Sequence, residues 1–445
     1  MIPMSCIPPK ARHGGPKEYM PVGAALKKFL SHIDWSRLSL PTEYVGLPDA
    51  QNRVLADDLA SRIDMPPFVR AAMDGYAVIS SDTKGASGKR PVLLDVIGRI
   101  TSGQDARYRV ELGKAVAIAT GAMIPKGADA VVIVENTQLE NTTVKIFREI
   151  ERGKNVALKG EDVKNGQILL KKGTWITSQD VGLIAAVGVG KVPVFKKPKV
   201  AVFSTGSELT EPGSKLDRTC IFESNRYMMS CMVRECGGEV VDLGICKDDR
   251  DLIFSKLRKA LKFDIVVTSG GTSVGEKDYV PDIINSIGKP GLLVHGVAMR
   301  PGSPTGLGIV NGKPVILSPG YPVSSFVAFY TFGRPLLFKM LKTEGPPGAS
   351  LIARMAGDIH MHQEMRTFVR VNVVKHNGSY FAEPVSASGA SLLSTLTNSN
   401  GMVIVDNKSK LTKGESRGDT AEEYDRNILM DIEWGCMVHF GKSAG

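Results

Sequence analysis

The stretch Thr268-Ser-Gly-Gly-Thr-Ser-Val-Gly-Glu-Lys-Asp-Tyr279 directly follows the apolar run Asp264-Ile-Val-Val267, and it decides the fold predicted for the centre of the chain. The apolar run suits a strand that is buried on both faces. The strand cannot continue beyond it, because glycines let the backbone turn sharply and approach a ligand closely. These glycines are Gly270, Gly271 and Gly275. The sequence therefore predicts a buried strand that ends in a polar, glycine-rich loop.

The side chains of this loop suit an anionic ligand and a metal ion. Its hydroxyls are Ser269, Thr272 and Ser273, and its charged groups are Glu276, Lys277 and Asp278. Backbone N–H groups and hydroxyls bind phosphate or another oxyanion, whereas carboxylates bind divalent cations. The loop lacks the lysine of a P-loop and the spacing of a dinucleotide-binding GxGxxG. A plain turn is the alternative, but the density of polar groups favours a site for a phosphorylated ligand handled with a divalent cation.

Composition indicates a multidomain protein with small anionic partners. The chain of 445 residues is too long for one core, so two to four domains are expected. A net charge of +10 favours anionic ligands, but only 6% of residues are aromatic and no basic run has interleaved aromatics, so nucleic acid is not expected. Six cysteines without a CxxC fit a reducing cytoplasm. Apolar stretches fall short of the roughly 20 residues that span a bilayer, so no membrane partner is expected.

Alternating strand and helix patterns predict a doubly wound parallel α/β domain over residues 197–341. Its predicted strands cover 200–203, 239–245, 264–268, 292–298 and 315–318. The other expected regions are a disordered lead-in over 1–16, an elongated domain over 17–63 with 150–196, a small β-rich domain over 64–149, a C-terminal β domain over 342–434 and a disordered tail over 435–445.

Polar, turn-forming residues follow each predicted strand of the α/β domain. The segments are 204–208, 247–249, 269–278, 300–304 and 319–322. Ligands of open α/β sheets bind at the carboxyl ends of the strands, so five such segments predict a binding cleft along one edge. For Ser224 and Asp248, a helix N-cap explains the residue as well as a ligand role does. Weaker candidates are Asp74-Gly75, which also reads as a turn, and the loop 119–129, which also reads as a hairpin connection.

Several separate motifs occur in an order that is specific to one family. They are Pro66-Pro-Phe68, Ala72-Met-Asp-Gly-Tyr-Ala77, Ala119-Thr-Gly-Ala122, Gly127-Ala-Asp-Ala130, Ser204-Thr-Gly-Ser-Glu208, Ser224-Asn-Arg226, Asp248-Asp249, Ser269-Gly-Gly-Thr-Ser-Val-Gly-Glu-Lys-Asp278 and Pro301-Gly-Ser-Pro304. Together they resemble the MoeA/gephyrin E-domain family, the molybdenum-insertion proteins of molybdenum cofactor synthesis, and the chain looks like an archaeal member. The likeness spans about residues 20–434.

The resemblance implies a fold, an assembly and a reaction. The fold has four domains, of which the third is a MogA-like α/β domain that binds molybdopterin and the last is β-barrel-like. The assembly is a head-to-tail homodimer with the active cleft between subunits. In the reaction, adenylylated molybdopterin loses AMP while molybdate or tungstate enters the dithiolene, with Mg²⁺ assisting.

The resemblance also implies roles for individual residues. The catalytic residues are Asp74, Thr120, Glu208, Asp249 and Asp278, with Asp74 and Thr120 supplied by the partner subunit. The metal ligands are Asp248, Asp249 and Asp278. The pterin nucleotide is held by Ser204, Thr205, Gly206, Ser269, Gly270, Gly271, Ser273, Gly275, Pro301, Gly302 and Pro304. The oxyanion is held by Arg300, Ser303, Arg366, Arg370 and a serine among Ser388, Ser391 and Ser394. If Arg366 and Arg370 do not hold the anion, we expect Arg300 and the main chain of the 301–304 turn to do so.

The chain departs from the family pattern at three places. Glu223 stands where many relatives have Asp, Arg300 and Ser303 stand where others have two lysines, and Tyr321 stands where many have Asn. Arg does not replace Lys equivalently, so the choice between molybdate and tungstate stays open. Two other functions remain as alternatives: a non-catalytic dimeric scaffold of the gephyrin type and a molybdopterin adenylyltransferase. Unpaired buried carboxylates would be costly in a purely structural protein, which disfavours the scaffold.

Overall fold

The computed structural model describes residues 18–271, 279–347, 349–360, 364–386, 389–406, 410–411 and 429–432. The expected lead-in and tail lie outside these ranges, as do Ser273, Gly275, Asp278 and Ser388. Within the described ranges, no helix is both long enough and apolar enough to cross a bilayer. The chain divides into two compact units. One contains Tyr44–Gln51 and Leu55–Pro193, and the other contains the described residues up to Glu43, Asn52–Val54 and the described residues from Val194 onward.

Short strands dominate the described residues before position 199. The helices are α1 (Val22–Ser31) and α2 (Ser178–Ala186), with 3-10 turns at Leu47–Asp49, Ser80–Thr83 and Val134–Asn136. The strands are β1 (Thr42–Gly46), β2 (Leu59–Ala60), β3 (Arg70–Ala71), β4 (Gly75–Val78), β5 (Val92–Ile100), β6 (Lys114–Ile118), β7 (Ala130–Ile133), β8 (Thr137–Glu140), β9 (Thr143–Ile146), β10 (Val156–Ala157), β11 (Ile168–Leu170) and β12 (Lys191–Phe195).

Six of these strands form a mixed sheet in the order β7-β4-β6-β5-β9-β8. Side chains of a strand alternate between its faces. In β4, Tyr76 and Val78 accordingly join the core on one side of the sheet, and Ala77 joins the core on the other side. Gly75 pairs with Ile118 across β4 and β6, which run antiparallel. The residue before β4 and the loop after β6 therefore lie at the same end of this sheet.

The α/β region contains five helices and nine strands among its described residues. The helices are α3 (Asn225–Glu235), α4 (Arg250–Ala260), α5 (Val280–Ile287), α6 (Pro322–Ala328) and α7 (Arg334–Leu341), with a π-helical segment at Phe329–Gly333. The strands are β13 (Lys199–Thr205), β14 (Leu209–Thr210), β15 (Ile221–Phe222), β16 (Glu239–Cys246), β17 (Ile265–Ser269), β18 (Pro290–His295), β19 (Met299–Arg300), β20 (Gly306–Val310) and β21 (Lys313–Ser318).

The central sheet has the order β16-β13-β17-β21-β20-β18, and its first four strands are parallel. The doubly wound α/β fold class is thus confirmed. The edge of the sheet at β20 and β18 differs from the prediction. β20 runs antiparallel to both of its neighbours, β21 and β18, and β18 ends at His295, whereas the predicted strand extended to residue 298. A two-residue turn joins β20 to β21, and both of its residues, Asn311 and Gly312, have positive φ angles of 51° and 83°. Asn-Gly is the usual signature of such a hairpin, so the sequence carried this signal, and it was missed.

Helices cover both faces of the central sheet. Residues of α4 and α5 pack against alternate residues of β13, β17 and β21, including Ala201, Phe203 and Val266. The intervening residues face the opposite side, where α3 contacts β13 and β17 and α6 contacts β21. This alternation places Ser204, Ser269 and Ser318 on the α3 and α6 side.

The described C-terminal residues contribute to a third large sheet. The elements of this region are β22 (Ala349–Ile352), β23 (Arg354–Met355), β24 (Ile359–His360), β25 (Arg366–His376), β26 (Ser379–Ser386), α8 (Ser394–Thr397), β27 (Gly401–Val405), β28 (Lys410–Leu411) and β29 (Leu429–Ile432). β24 and β28 pair with each other alone, whereas the large sheet has the order β22-β29-β27-β25-β26-β23, with β19 paired in parallel with β25. This last pairing places Arg300 opposite Thr367, so the turn after Arg300 lies beside the C-terminal sheet.

Candidate active site

Three serines lie in register at the carboxyl ends of neighbouring strands: Ser204 is the penultimate residue of β13, and Ser269 and Ser318 are the last residues of β17 and β21. Ser204 pairs with Ser269, and Ser269 pairs with Ser318. Neighbouring strands lie about 4.8 Å apart, so the three residues form a row at the carboxyl edge. The Oγ atoms of Ser204 and Ser318 are buried and have no hydrogen-bond partner among the described residues. Buried hydroxyls are normally satisfied, so this edge is equipped to bind a water or a ligand oxygen.

Asn225, the first residue of α3, ties two of the strand-end loops together. Its Nδ2 donates to Ser269 Oγ at 2.8 Å and to the Gly320 carbonyl oxygen at 2.7 Å. Ser269 Oγ also lies 3.3 Å from Ser325 Oγ, and Ser325 donates to the Pro319 carbonyl oxygen at 2.6 Å. One buried amide therefore holds the loops after β17 and β21 at a fixed spacing. The sequence places Asn225 in the family motif Ser224-Asn-Arg226, but Asn225 was not among the predicted site residues.

The loop after β17 needs glycine because two loops approach closely there. Gly270 has a φ of 86°, and a side chain at this position would clash with the carbonyl oxygen of Thr205. The Gly270 N–H donates to the Ser318 carbonyl oxygen at 3.1 Å, and Thr205 Oγ1 lies 3.5 Å from the Ser269 carbonyl oxygen. The loop after β17 thus packs against the ends of both neighbouring strands, as close backbone approach requires.

Glu223 performs the capping role that was considered for Ser224. The Ser224 side chain makes no cap hydrogen bond, whereas Glu223 Oε1, in a buried side chain, accepts from the Arg226 N–H at 2.7 Å. The Arg226 guanidinium pairs with Asp242 and, at 2.5 Å, with Glu211. Burial is the largest single influence and lowers the Arg226 pKa, but the hydrogen bond and charge of Asp242 together with Tyr227 and Glu211 outweigh it, so the Arg226 pKa is raised. Glu223, one of the residues that depart from the family pattern, therefore caps the start of α3 instead of contacting a ligand in this structure.

Asp249, and not Asp248, is the N-cap of α4. Asp249 Oδ1 accepts from the N–H groups of Asp251 at 3.0 Å and Leu252 at 2.9 Å. Asp248 Oδ2 accepts from the Ser207 N–H at 2.8 Å, so the loops after β13 and β16 are joined. In each carboxylate one oxygen makes these bonds, and the other has no hydrogen bond to a described residue. Within the described ranges, no three His, Cys, Asp or Glu side chains form a group able to hold a metal. The third predicted ligand, Asp278, lies outside them.

A cavity of about 330 Å³ lies beside the strand-end row. Its lining residues are Arg300, Pro301, Gly302, Ser303, Pro304, Pro319, Tyr321, Ser324, Met365, Gly389 and Ala390. The turn that supplies five of them is held by Thr305 Oγ1, which donates to the Gly302 carbonyl oxygen at 2.7 Å. The Val297 N–H donates to the Ser303 carbonyl oxygen at 2.9 Å. Among the described lining residues, Arg300 alone carries a formal charge, so the cavity is electropositive at one side.

The other two predicted arginines make their described contacts with the protein itself. Arg366 forms a bidentate pair with Asp406, with both N–O distances at 2.7 Å. Arg370 is fully buried, and its Nε and Nη1 donate to Thr395 Oγ1 at 3.3 Å and to the Phe368 carbonyl oxygen at 3.2 Å. Burial lowers the Arg370 pKa. Neither arginine is a lining residue of the cavity, and Ser391 and Ser394 are not either.

Asp74 and Thr120 lie together in the first compact unit. Asp74 Oδ1 accepts from the Thr120 N–H at 2.7 Å, and Ser102 Oγ donates to the Thr120 carbonyl oxygen at 2.6 Å. Both Asp74 and Thr120 are exposed. Residues 46 positions apart in sequence are therefore joined into one polar group, as the register of β4 and β6 requires.

Three sequence families match successive parts of the chain. They are the MoeA N-terminal region (domain I and II) over residues 20–188, the probable molybdopterin binding domain over 201–339 and the MoeA C-terminal region (domain IV) over 353–416. A molybdopterin molybdenumtransferase of Bacillus subtilis is 34% identical over 86% of this chain and 89% of its own length. The chain belongs to the MoeA family.

Two archaeal relatives of the family extend this likeness. A putative molybdopterin biosynthesis protein of Methanocaldococcus jannaschii is 34% identical over 94% of this chain and 98% of its own length. The crystal structure of the molybdopterin biosynthesis MoeA protein from Pyrococcus horikoshii is 33% identical, with a TM-score of 0.77 over 93% of this chain and 100% of that chain. The family predicted from the motifs is thus confirmed.

The residue roles that the family implies fall into three groups in the structure. The strand-end group contains Ser204, Thr205, Gly206, Glu208, Asp248, Asp249, Ser269, Gly270 and Gly271. The cavity group contains Arg300, Pro301, Gly302, Ser303 and Pro304. The group in the first compact unit contains Asp74 and Thr120. The sequence analysis did not identify Ser318, Ser324 and Met365, because none belongs to a recognised motif. Ser318 reaches the site through sheet pairing, Ser324 through its position on α6, and Met365 through the C-terminal chain.

Proposed function

We propose that this MoeA-family protein is a molybdopterin molybdenumtransferase, which inserts molybdate or tungstate into adenylylated molybdopterin and releases AMP. The observation that carries the proposal is the cavity that contains Arg300 and Ser303, next to the row of strand-end loops. The relatives named above support the role in molybdenum cofactor biosynthesis. The geometry offers one place for an oxyanion and an adjacent edge for a phosphorylated organic ligand.

The strand-end row suits the phosphate side of the substrate. Ser204 Oγ and Ser318 Oγ are buried donors without a described partner, and backbone N–H groups of glycine-rich turns bind phosphate oxygens. Asn225 and Gly270 keep the loops rigid, so these donors are preorganised before a ligand arrives. Fixed donors lose little conformational entropy on binding, which favours affinity for a polyanion.

Mg²⁺ fits the carboxylates at this edge. Mg²⁺ needs only one or two protein carboxylates, because substrate phosphates and waters complete its octahedral shell. Asp248 and Asp249 each retain one carboxylate oxygen without a bond to a described residue. In sequence, Asp278 ends the glycine-rich segment 269–278 that follows β17. When bound, the ion would supply positive charge to the pyrophosphate. The protein's own contribution is to hold Asp249 at the start of α4, where the carboxylate cannot turn away without losing the cap.

The oxyanion is best placed at Arg300 and Ser303. Arg300 presents paired N–H donors and a permanent charge, and Ser303 adds a hydroxyl donor. Arg366 is paired with Asp406 and Arg370 is enclosed beside Thr395, so neither contacts the cavity in this arrangement. This favours the Arg300 alternative over the two strand arginines.

We extend the proposal to a cytoplasmic homodimer in which Asp74 and Thr120 of the partner subunit complete the cleft. The two side chains are exposed and already joined by a hydrogen bond, so they form a preformed polar group on a separate compact unit. Light scattering at micromolar concentration should give a dimer mass. A stable monomer with full activity would contradict this part of the proposal.

The decisive experiment measures AMP release. Wild-type protein with adenylylated molybdopterin, Mg²⁺ and molybdate should release AMP, whereas molybdopterin with Mg-ATP should not be adenylylated. Arg300→Gln should raise the molybdate concentration for half-maximal AMP release by about tenfold or more, since a charge-assisted hydrogen bond is lost. Arg37→Gln, in a surface pair with Asp34, is the matched control. Adenylylation from Mg-ATP would favour the adenylyltransferase, and no turnover in either assay would favour the scaffold.

A further inference from the structure

Tyr321 is a large aromatic side chain that is left exposed in the wall of the cavity. It lines the cavity together with Arg300 and Ser324, yet 62% of its surface is accessible. Its ring is in no described stacking contact and its hydroxyl makes no described hydrogen bond. An aromatic ring buries much apolar area when it packs, so leaving one exposed forgoes that stabilisation. A ligand that packs against the exposed ring would recover this stabilisation.

The backbone around Tyr321 is held in place although its side chain is not. The Tyr321 carbonyl oxygen accepts from the Ser325 N–H at 2.9 Å, the Gly320 carbonyl oxygen accepts from Asn225 at 2.7 Å, and the Val323 N–H donates to the Ala390 carbonyl oxygen at 3.0 Å. Pro322 begins α6 and restricts the backbone further. The backbone that carries the ring is therefore fixed beside the cavity, so the ring is preorganised to contact a ligand.

The cavity is larger and more apolar than an oxyanion needs. A volume of 330 Å³ equals that of about ten water molecules in the liquid and falls in the range of small-molecule pockets. Part of its wall is apolar: Pro301, Pro304, Pro319, Tyr321 and Met365. Apart from the Tyr321 hydroxyl, these side chains offer no donors to a tetrahedral dianion, but their surfaces match the faces of a flat organic ring.

We propose that Tyr321 is a specificity-determining residue that packs its ring against the flat heteroaromatic ring of the substrate, while Arg300 binds the oxyanion. This inference rests on the proposed function, because that function supplies a pterin as the ring. The ring contact adds affinity for the organic part of the substrate independently of the oxyanion.

The test measures binding of pterin-6-carboxylate, a fluorescent pterin that carries one carboxylate. Wild-type protein should bind it and quench its fluorescence. Tyr321→Phe keeps the ring and should change the Kd by less than about twofold, whereas Tyr321→Ala and Tyr321→Asn should weaken binding about five- to tenfold and reduce the quenching. Tyr44→Ala removes a tyrosine that is 70% exposed and outside the cavity lining, and it should leave the Kd unchanged.

The outcomes separate this inference from the proposed function. Circular dichroism and thermal unfolding of each variant should match wild type, because Tyr321 is exposed. No pterin binding by wild type, unchanged binding by Tyr321→Ala, or equal losses in Tyr321→Phe and Tyr321→Ala would each overturn the ring contact. If wild type releases AMP in a molybdate-dependent manner and Tyr321→Ala still binds pterin-6-carboxylate with the wild-type Kd, the proposed function is supported and the ring contact is refuted. If Tyr321→Ala weakens pterin binding but wild type releases no AMP, the ring contact is supported and the proposed function is refuted.

Discussion

Asn225→Ala tests whether one buried amide holds the strand-end loops together. The substitution removes the Nδ2 donor that bonds Ser269 Oγ at 2.8 Å and the Gly320 carbonyl oxygen at 2.7 Å. Ser269 keeps a partner, because Ser325 Oγ lies 3.3 Å away. The Gly320 carbonyl oxygen has no other described protein partner, but Gly320 is exposed, so water can replace the lost hydrogen bond.

The expected cost follows from these contacts. Two neutral hydrogen bonds contribute about 1 kcal/mol each. Because Gly320 is exposed, its carbonyl oxygen carries no burial penalty when the bond is lost. Asn225 Oδ1 is already buried without a partner among the described residues, so its removal relieves part of the cost. We expect the free energy of unfolding to fall by about 1 to 2 kcal/mol. We also expect weaker binding of the pterin nucleotide, because the loops lose their fixed spacing.

Urea unfolding and amide hydrogen exchange provide the measurement. The Gly270 N–H, which donates to the Ser318 carbonyl oxygen at 3.1 Å, should lose protection in Asn225→Ala. The matched control is Asn400→Ala, because exposed Asn400 also makes two hydrogen bonds, to the Val373 N–H at 2.7 Å and the Val373 carbonyl oxygen at 3.1 Å. Water replaces exposed bonds, so the control should cost under about 1 kcal/mol. Equal costs in the two variants, or unchanged Gly270 protection, would refute the reasoning.

Three further predictions follow from single contacts. Asn caps helices as well as Asp does, so Asp249→Asn should keep the unfolding free energy within about 0.5 kcal/mol of wild type, while Asp249→Ala should lower it by about 1 kcal/mol. If Asp249 also binds the metal, both variants should lose Mg²⁺-dependent AMP release. Arg366→Ala breaks a surface pair with Asp406, so it should cost under about 1 kcal/mol and leave the molybdate requirement unchanged; a raised requirement would return the oxyanion role to Arg366. Burial raises the pKa of Cys236 from 9.0 to about 12, so the folded state keeps a proton that the unfolded state loses. Unfolding free energy should therefore fall by about 1.4 kcal/mol per unit between pH 9 and pH 12, a slope that Cys236→Ala should reduce.

The parallel core of the α/β sheet was predictable because its signals are local. Each buried strand reads as a short apolar run, and each run ends in glycine, serine or aspartate at a turn. The antiparallel edge was not predicted, although Asn311-Gly312 marks its hairpin. The strand β20 contains two glycines, Gly306 and Gly308, and glycine is depleted in strands, so the run did not resemble a strand.

The polar residues of the site were only partly predictable. Their positions after strands indicated one edge of the sheet, and the structure has Ser204, Ser269 and Ser318 in register there. Sequence did not distinguish the two adjacent aspartates, because a cap depends on which residue directly precedes the first helical turn. Asp249 holds that position, and Asp248 instead bonds the loop after β13.

The sequence by itself determined the family, the α/β fold class and the strand ends that carry polar loops, since motif order, apolar periodicity and glycine position are all properties of neighbouring residues. Only the tertiary structure decided which of these side chains meet. Arg366 pairs with Asp406 because Thr367 and Val405 are partners across β25 and β27, and Asn225 reaches Ser269 because α3 packs on β17. Tyr321 stands in the cavity wall beside Met365 because the C-terminal chain folds against the turn after β19. Such meetings depend on register and packing between residues distant in sequence, and no local pattern encodes them.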